Sequence, residues 1–477
     1  MLAIFAMAAR ISVDSDTWWH LRAGQWIVEH RAVLQTDLFS YTRWGEPWQY
    51  PGWLVEAPMY LVYRASGPGG LNMWTALMVA FSFACLWRAL SGGPFLRAFA
   101  LIFGATASAV YWAARPYLVT FLFSAVFLWL LEDLRWRPGQ KSAKRLFALP
   151  VLMLLWTNSH GGFAVGFLIW GVYFADLVVR SGLSYLSHQE PPDLKALSRM
   201  LLVGVLMIVA VCLNPAGPGL LAYPFKTVNM GVLKDFIQEW QSPDFHALSV
   251  QPFLWLLLAT IAAIGASSRR LALTDFLLLA GFTYLSLLAQ RNIALFSLVA
   301  PLVLTRHAQD VLSGLSWFQR MRFDTSFSHR SQGVMNVAIL AVLGLGVLAK
   351  LSLVFPQAIN VDYFEETFPV EAVAYLRKEQ PAGRIFNSYN WGGFLLWHLP
   401  EYPVFIDGRT DLYDGPIMTQ WVQVMRAQEG WQTILEQYDA RIILVERDTP
   451  LLEALENSPN WRLTYQDALA VIYQRDG

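Results

Sequence analysis

The chain has 477 residues, 55% of them hydrophobic and only 15% charged, where a soluble domain usually carries about 25% charge. A mean hydropathy of +0.38 marks a membrane protein, and a formal net charge of zero gives no sign of a nucleic-acid partner. Cys85 and Cys212 are the only cysteines and both lie in apolar runs, so neither a disulfide framework nor a cysteine-based metal site is available.

Leu2–Val13 is apolar but, at ~1.5 Å per residue, reaches only about 18 Å, too short to cross ~30 Å of hydrocarbon unaided. It lacks the basic start and small-residue cleavage site of a signal peptide and reads as the end of a first span that begins upstream. Apolar stretches near 71–90, 94–114, 117–133, 146–158, 162–180, 200–214, 251–268, 272–289, 291–305 and 333–355 predict further spans. The total is about eleven membrane-spanning helices.

Basic residues fix the orientation. Alternate loops hold Arg88 and Arg97; Arg135, Arg137, Lys141, Lys144 and Arg145; Arg180, Lys195 and Arg199; Arg269 and Arg270; and Arg306, Arg320, Arg322 and Arg330. The short loops of the other set hold only Arg115 and Arg291. The positive-inside rule makes the first set cytoplasmic, so 14–70, 214–250 and everything after about 356 face outward.

Polar residues then gather on the outer face. The loop 14–70 opens Asp14-Ser15-Asp16-Thr17-Trp18-Trp19-His20, and Trp18–His30 has the pattern of an amphipathic helix in the membrane interface. Thr36-Asp37-Leu38-Phe39-Ser40 follows, then Gly52–Glu56 as a second interfacial helix. Later outer turns carry Arg115-Pro116, Asn158-Ser159-His160-Gly161-Gly162, Asn214-Pro215, Glu239-Trp240 and Arg291-Asn292. Ionisable groups at span ends are costly, and a set of them on one face predicts a polar site near the outer leaflet. Each has a plainer reading: Asp14 or Asp16 as a helix cap, His20 as a satisfied interfacial histidine, Arg115 and Arg291 as snorkelling side chains, and Glu239 paired with Lys234.

The last 120 residues or so change character. Pro369–Glu379 predicts an amphipathic helix; Arg384–Phe386, Val404–Asp407, Arg441–Glu446 and Ala468–Tyr473 predict strands; Trp391–Leu399, Pro416–Gln437 and Pro450–Glu456 predict helices. Alternating strand and helix argues for an α/β sandwich, without the Gly-rich loop of a nucleotide-binding domain. The chain divides into a transmembrane part, 1–355, and an extracytoplasmic α/β domain, 356–477. The polar turn Asp407-Gly408-Arg409 is either turn chemistry or part of the site.

The Asp14-Ser15-Asp16 motif after a first span, the long outer loop, the polytopic core and the outer C-terminal domain together resemble the bacterial GT-C superfamily of membrane glycosyltransferases. More narrowly, DxDTWWHLxxG, TDxFSYT, Arg115-Pro116, the Trp-Thr-Asn-x-His-Gly-Gly at 156–162, Arg291-Asn292 and the Asp-Gly-Arg-x-Asp-Leu-Tyr at 407–413 are similar to a group of bacterial multi-pass proteins within it. The resemblance covers nearly the whole chain. It implies a protein of the bacterial plasma (inner) membrane that takes a sugar from a polyisoprenyl-phosphate donor and passes it to a glycan, lipid or protein acceptor. In that chemistry a carboxylate deprotonates the acceptor hydroxyl and cations stabilise the departing phosphate. Asp16, Asp14 and Asp37 are the candidate catalytic carboxylates. His20, Arg115, Asn158, His160, Glu239, Arg291, Asn292, Asp407 and Arg409 are the candidate substrate-binding residues. Asp14, Asp16 and Asp37 could supply hard oxygen ligands to Mg²⁺ or Mn²⁺, and the resemblance implies neither presence nor absence of a metal. The rival readings are a lipid-linked-substrate flippase, with its site near the midplane, and a non-catalytic scaffold.

Overall fold

The computed structural model describes residues 1–187, 191, 193–229, 231, 237–316 and 329–475. Every stretch expected to span is helical over most of its length. Among the described residues six helices are long and apolar enough to cross a bilayer: Trp53–Ala89, Pro94–Tyr111, Tyr117–Trp136, Gly161–Leu186, Leu194–Cys212 and Gln332–Val354. Gln251–Ala266 and Leu273–Leu288 are apolar but shorter. Ile293–Gly314 runs through the middle of the bundle, with every residue from Ile293 to His307 buried.

Between Trp53 and Ala89 the chain is helical on both sides of Gly67, whose φ of 60° and ψ of −158° break the helix just before Pro68 and separate the expected second interfacial helix from the expected span. Proline removes a helical N–H, and glycine takes the left-handed φ at little steric cost. The helix expected at Trp18–His30 spans Asp16–His30 and buries one face within the protein. Trp18, Trp19, His20, Leu21, Ala23, Gly24 and Ile27 are all buried, because the helix is packed between Trp53–Ala89 and the C-terminal helix Tyr389–His398. Trp18 meets Tyr63, Phe364, Phe368 and Phe394 edge to face, at ring separations of 5.1–6.2 Å.

The C-terminal part builds a four-stranded sheet of β1 (Arg384–Asn387), β2 (Ala440–Glu446), β3 (Trp461–Gln466) and β4 (Ala470–Arg475), ordered β1-β2-β4-β3. β1 is parallel to β2 and the other pairs are antiparallel. Helices Val370–Glu379, Tyr389–His398, Thr410–Met425, Trp431–Gln437 and Leu451–Glu456 accompany it. Val404–Asp407, expected as a strand, makes only isolated bridges, from Val404 to Ile385 and to Ser40. The reason lies in Asn387: its amide oxygen accepts from the Phe405 N–H (2.9 Å) and its amide nitrogen donates to the Ile406 carbonyl (2.8 Å), taking the groups a strand ladder would use. β3, an edge strand with a register shift at Leu463/Tyr465, was not anticipated.

Through Val404 the outer loop extends the sheet. The Tyr41 N–H donates to the Val404 carbonyl (3.1 Å), the Thr42 hydroxyl to the Phe405 carbonyl (2.6 Å) and the Tyr41 hydroxyl to the Ile385 carbonyl (3.1 Å). The division at residue 356 is therefore one of sequence, while the outer loop belongs to both parts in space.

Candidate functional site

Several of the polar residues expected on the outer face form a cluster at one end of the helices. Asp14 and Asp16 precede and open the Asp16–His30 helix, where Asp14 Oδ1 accepts the Asp16 N–H at 3.0 Å; the N-cap itself is Ser15, which makes no side-chain capping bond. Arg115, just before the Tyr117–Trp136 helix, reaches three carboxylates. Its Nε lies 3.4 Å from Asp14 Oδ2, and its two terminal nitrogens lie 3.0 Å from Asp16 Oδ2 and 3.1 Å from Glu239 Oε2. The second Glu239 oxygen meets Arg291, 3.2 Å away. Glu239 thus pairs with two arginines; Lys234, its expected partner, lies outside the described residues. Arg291 stands over the Trp240 ring at 4.4 Å and the Tyr117 ring at 5.6 Å. These five side chains keep 16–26% of their surface exposed, enough for a ligand to reach.

Electrostatics divides the carboxylates. Burial and the neighbouring charges of Asp14 and Glu239 outweigh Arg115 and push the Asp16 carboxyl up to about 7. Burial also pushes Glu239 upward, but Arg115 and Arg291 together hold it at about 2. One carboxylate is poised as a proton acceptor and the other is a permanent anion between two cations. Asp16 receives the Trp19 indole N–H on Oδ1 (3.2 Å).

His160 sits beside this cluster. The Thr120 hydroxyl (2.7 Å) and the Gly162 N–H (3.0 Å) both engage its Nδ1, and the Trp156 indole donates to Thr120 (2.9 Å). With Nδ1 accepting, the ring proton belongs on Nε2. Burial and the charges of Arg291 and Arg115 hold the ring down at about 3, so it is a neutral N–H donor. His20 is buried, stacked on Trp19 and bonded through Nδ1 to Glu56 Oε1 at 2.8 Å. Burial, then Arg115 and His160, lower its affinity for a proton.

Asp37, Asp407 and Arg409 form a second, closed cluster. The Arg409 guanidinium binds Asp37 Oδ1 at 2.6 Å and Asp407 at 2.7 and 2.9 Å, and none of the Asp37 or Arg409 side chain is exposed. Asp37 also accepts the Phe39 and Ser40 N–H groups and the Ser40 hydroxyl, while Tyr413 donates to Asp407 at 2.6 Å. Asp37 is therefore not beside Asp14 and Asp16, and the three do not form one ligand set. Asn158 and Asn292 stand apart too. Asn158 receives the Trp53 indole N–H (2.8 Å) and the Asn214 amide (3.1 Å), and Asn292 ties back to the Leu285 carbonyl (2.9 Å). Among the described residues no three His, Cys, Asp or Glu side chains are disposed to hold a metal ion.

Sequence reasoning passed over Tyr117, Thr120, Tyr223, Trp240 and Asp411. Trp240 and Asp411 sat inside strings already singled out, and adjacency to Glu239 and Arg409 was the available signal. Tyr223 and Thr120 are ordinary in sequence, and only the fold brings them to His160.

The opposite ends of the same helices carry a different network. Arg306 binds Glu132 and Asp275, Arg135 joins Asp275 at 2.6 Å, and all four are nearly inaccessible. The Tyr117–Trp136 helix puts about 30 Å between this network and Arg115.

No family model and no curated protein matches the chain. Solved structures do. The chain is similar over 93% of its length to 69% of the oligosaccharyltransferase AglB from Archaeoglobus fulgidus in complex with an inhibitory peptide and a dolichol-phosphate, with a TM-score of 0.63 at 10% identity. A crystal structure of the Archaeoglobus fulgidus oligosaccharyltransferase tethered to an acceptor peptide with an NVT sequon matches all of this chain over 74% of its own, with a TM-score of 0.57 at 11% identity. ArnT from Cupriavidus metallidurans, bound to undecaprenyl phosphate, matches 99% of this chain over 96% of its own, with a TM-score of 0.50 at 14% identity. The chain shares the fold of these solved structures.

Proposed function

We propose that this protein is a membrane glycosyltransferase of the bacterial plasma membrane. It moves a sugar from a polyisoprenyl-phosphate donor to an acceptor hydroxyl on the extracytoplasmic side, where the C-terminal domain lies. One observation carries the reading: a carboxylate poised near neutrality, Asp16, shares Arg115 with a carboxylate, Glu239, that also binds Arg291.

Asp16 takes the proton of the acceptor hydroxyl as its oxygen bonds to the anomeric carbon. The bond from that carbon to the phosphate oxygen breaks, and its electron pair leaves with the phosphate. The added negative charge falls beside Arg115 and Arg291, whose planar forks suit phosphate oxygens. Glu239 holds the two arginines side by side, and His160 offers its Nε2–H as a neutral donor. A flippase would concentrate polar groups at the midplane within a repeat; here they sit at helix ends. The solved relatives of this fold, recorded with dolichol-phosphate and with undecaprenyl phosphate, support the lipid-phosphate donor.

The test is direct: purified protein in nanodiscs, given radiolabelled undecaprenyl-phosphate sugars and a lipid, glycan or peptide acceptor, should release undecaprenyl phosphate. Translocation of the intact donor without cleavage would favour the flippase instead.

A further inference from the structure

The charged cluster is one arc of a closed ring of contacts. From Asp16 the ring runs through Arg115, Glu239 and Arg291 to Tyr117, under Arg291 at 5.6 Å, and to His160, whose ring lies 5.8 Å from that of Tyr117. Gly161, the next residue, packs on the Tyr223 ring so closely that a Cβ there would overlap it. The Tyr223 hydroxyl faces Asp411 Oδ2 at 3.5 Å, and the Trp48 indole nitrogen faces the same oxygen at 3.4 Å. Trp48 packs against Trp19 at 5.8 Å and is stacked with Tyr50, and Trp19 returns to Asp16. The charged members of this ring, with His160 and Tyr223, keep partial exposure, while Tyr117, Trp19 and Trp48 are buried and Asp37, Asp407 and Arg409 are sealed.

The two halves differ chemically. The Arg115–Arg291 side is cationic and suits a phosphate. The opposite side has Asp411, whose Oδ2 meets Trp48 and Tyr223 at long hydrogen-bond distances, amid the aromatic side chains of Trp48, Tyr50 and Tyr223. A lightly engaged carboxylate among aromatic side chains is the combination that grips a sugar: the oxygens accept its hydroxyls and the aromatic surfaces meet its C–H faces. Burial raises the Asp411 carboxyl, against the opposing pull of the Trp48 hydrogen bond and of Arg409.

We propose that Asp411, with Tyr223, recognises the glycosyl hydroxyls of the lipid-linked donor while Arg115 and Arg291 hold its phosphate. This rests on the glycosyltransferase reading and adds to it: the C-terminal domain supplies sugar selectivity to a site whose chemistry lies in the membrane part. A site built to bond a hydroxyl discriminates strongly against an analogue lacking it.

The experiment uses the full chain in nanodiscs and two probes, undecaprenyl phosphate and a panel of undecaprenyl-phosphate hexoses. Asp411→Asn and Tyr223→Phe are compared with wild type, and thermal melting checks each fold. Asp411→Asn should weaken binding of the preferred sugar conjugate roughly tenfold or more and leave undecaprenyl phosphate within about twofold. Tyr223→Phe should do the same more mildly, and it keeps the test alive if Asp411→Asn does not fold. Equal loss for both probes, or loss for neither, would overturn the assignment. Wild-type protein that binds neither probe would instead overturn the glycosyltransferase reading on which it rests.

Discussion

The Asp16 carboxylate lies against the backbone of Gly408, so closely that a Cβ at 408 would collide with Oδ1. A residue of the C-terminal domain thus fixes where the proposed base can sit. Gly408→Ala is expected to displace the carboxylate, at a packing cost of about 1–3 kcal/mol. Turnover should fall by more than tenfold with the melting temperature only modestly lowered. Unchanged turnover would mean that the position of Asp16 does not matter to the reaction.

The pH profile carries the clearest sign. Asp16 works as a base only when deprotonated, and its carboxyl is raised to about 7. kcat/KM should therefore be flat above that value and fall tenfold per unit below it. Asp14→Asn removes one of the charges that raise Asp16, so the acid limb should move to lower pH. Asp16→Asn should abolish turnover while preserving the fold. A profile insensitive to Asp14→Asn would place the titrating group elsewhere.

Arg115→Gln and Arg291→Gln should each weaken binding of undecaprenyl phosphate by roughly ten- to a hundredfold, the worth of a charge-assisted hydrogen bond. Lysine at either position should restore part of this, since it keeps the charge and loses the fork. Equilibrium binding in nanodiscs measures it. Unchanged affinity in both glutamine variants would return the arginines to snorkelling.

The Asp37–Arg409–Asp407 cluster should behave differently. Both ion-pair partners are fully buried, and removing one leaves uncompensated charge, a loss of about 3–5 kcal/mol. Arg409→Met should lower the melting temperature and loosen the C-terminal part to protease. Asp37→Asn should lose stability before it loses any specific kinetic step. A stable Asp37→Asn variant with an abolished chemical step would restore Asp37 to catalysis.

Topology is tested by labelling. In cells, a cysteine at the exposed Lys141 should be shielded from impermeant thiol reagents, and one at Arg441 should react. The reverse pattern would turn the whole site inward.

The outer cluster was legible because its residues break a rule. Arg115 and Arg291 stand in loops that the orientation bias would keep free of positive charge. Their shared partner Glu239 was named, but paired with the nearby Lys234 rather than with the arginines, since nothing local ties residue 239 to 115. Asp37 was grouped with the wrong residues for the same reason: a loop carboxylate reads alike whether it faces a substrate or an arginine 372 positions away. The Val404–Asp407 run has strand composition, and only the Asn387 side chain, invisible to any period, denies it the ladder.

The bridge between Ser40 and Val404 bears on how the C-terminal part could exist alone. Cut free at residue 356, it would keep β1 and Val404 but lose the chain that lies along their outer side. The main-chain groups of Val404, now bonded to Phe39 and Tyr41, would be open, beside the buried apolar residues Phe405 and Ile406. Such an uncovered edge pairs readily with another copy of itself. Residues 39–42 therefore act as a built-in guard against self-association, and an excised domain needs them supplied to stay monomeric.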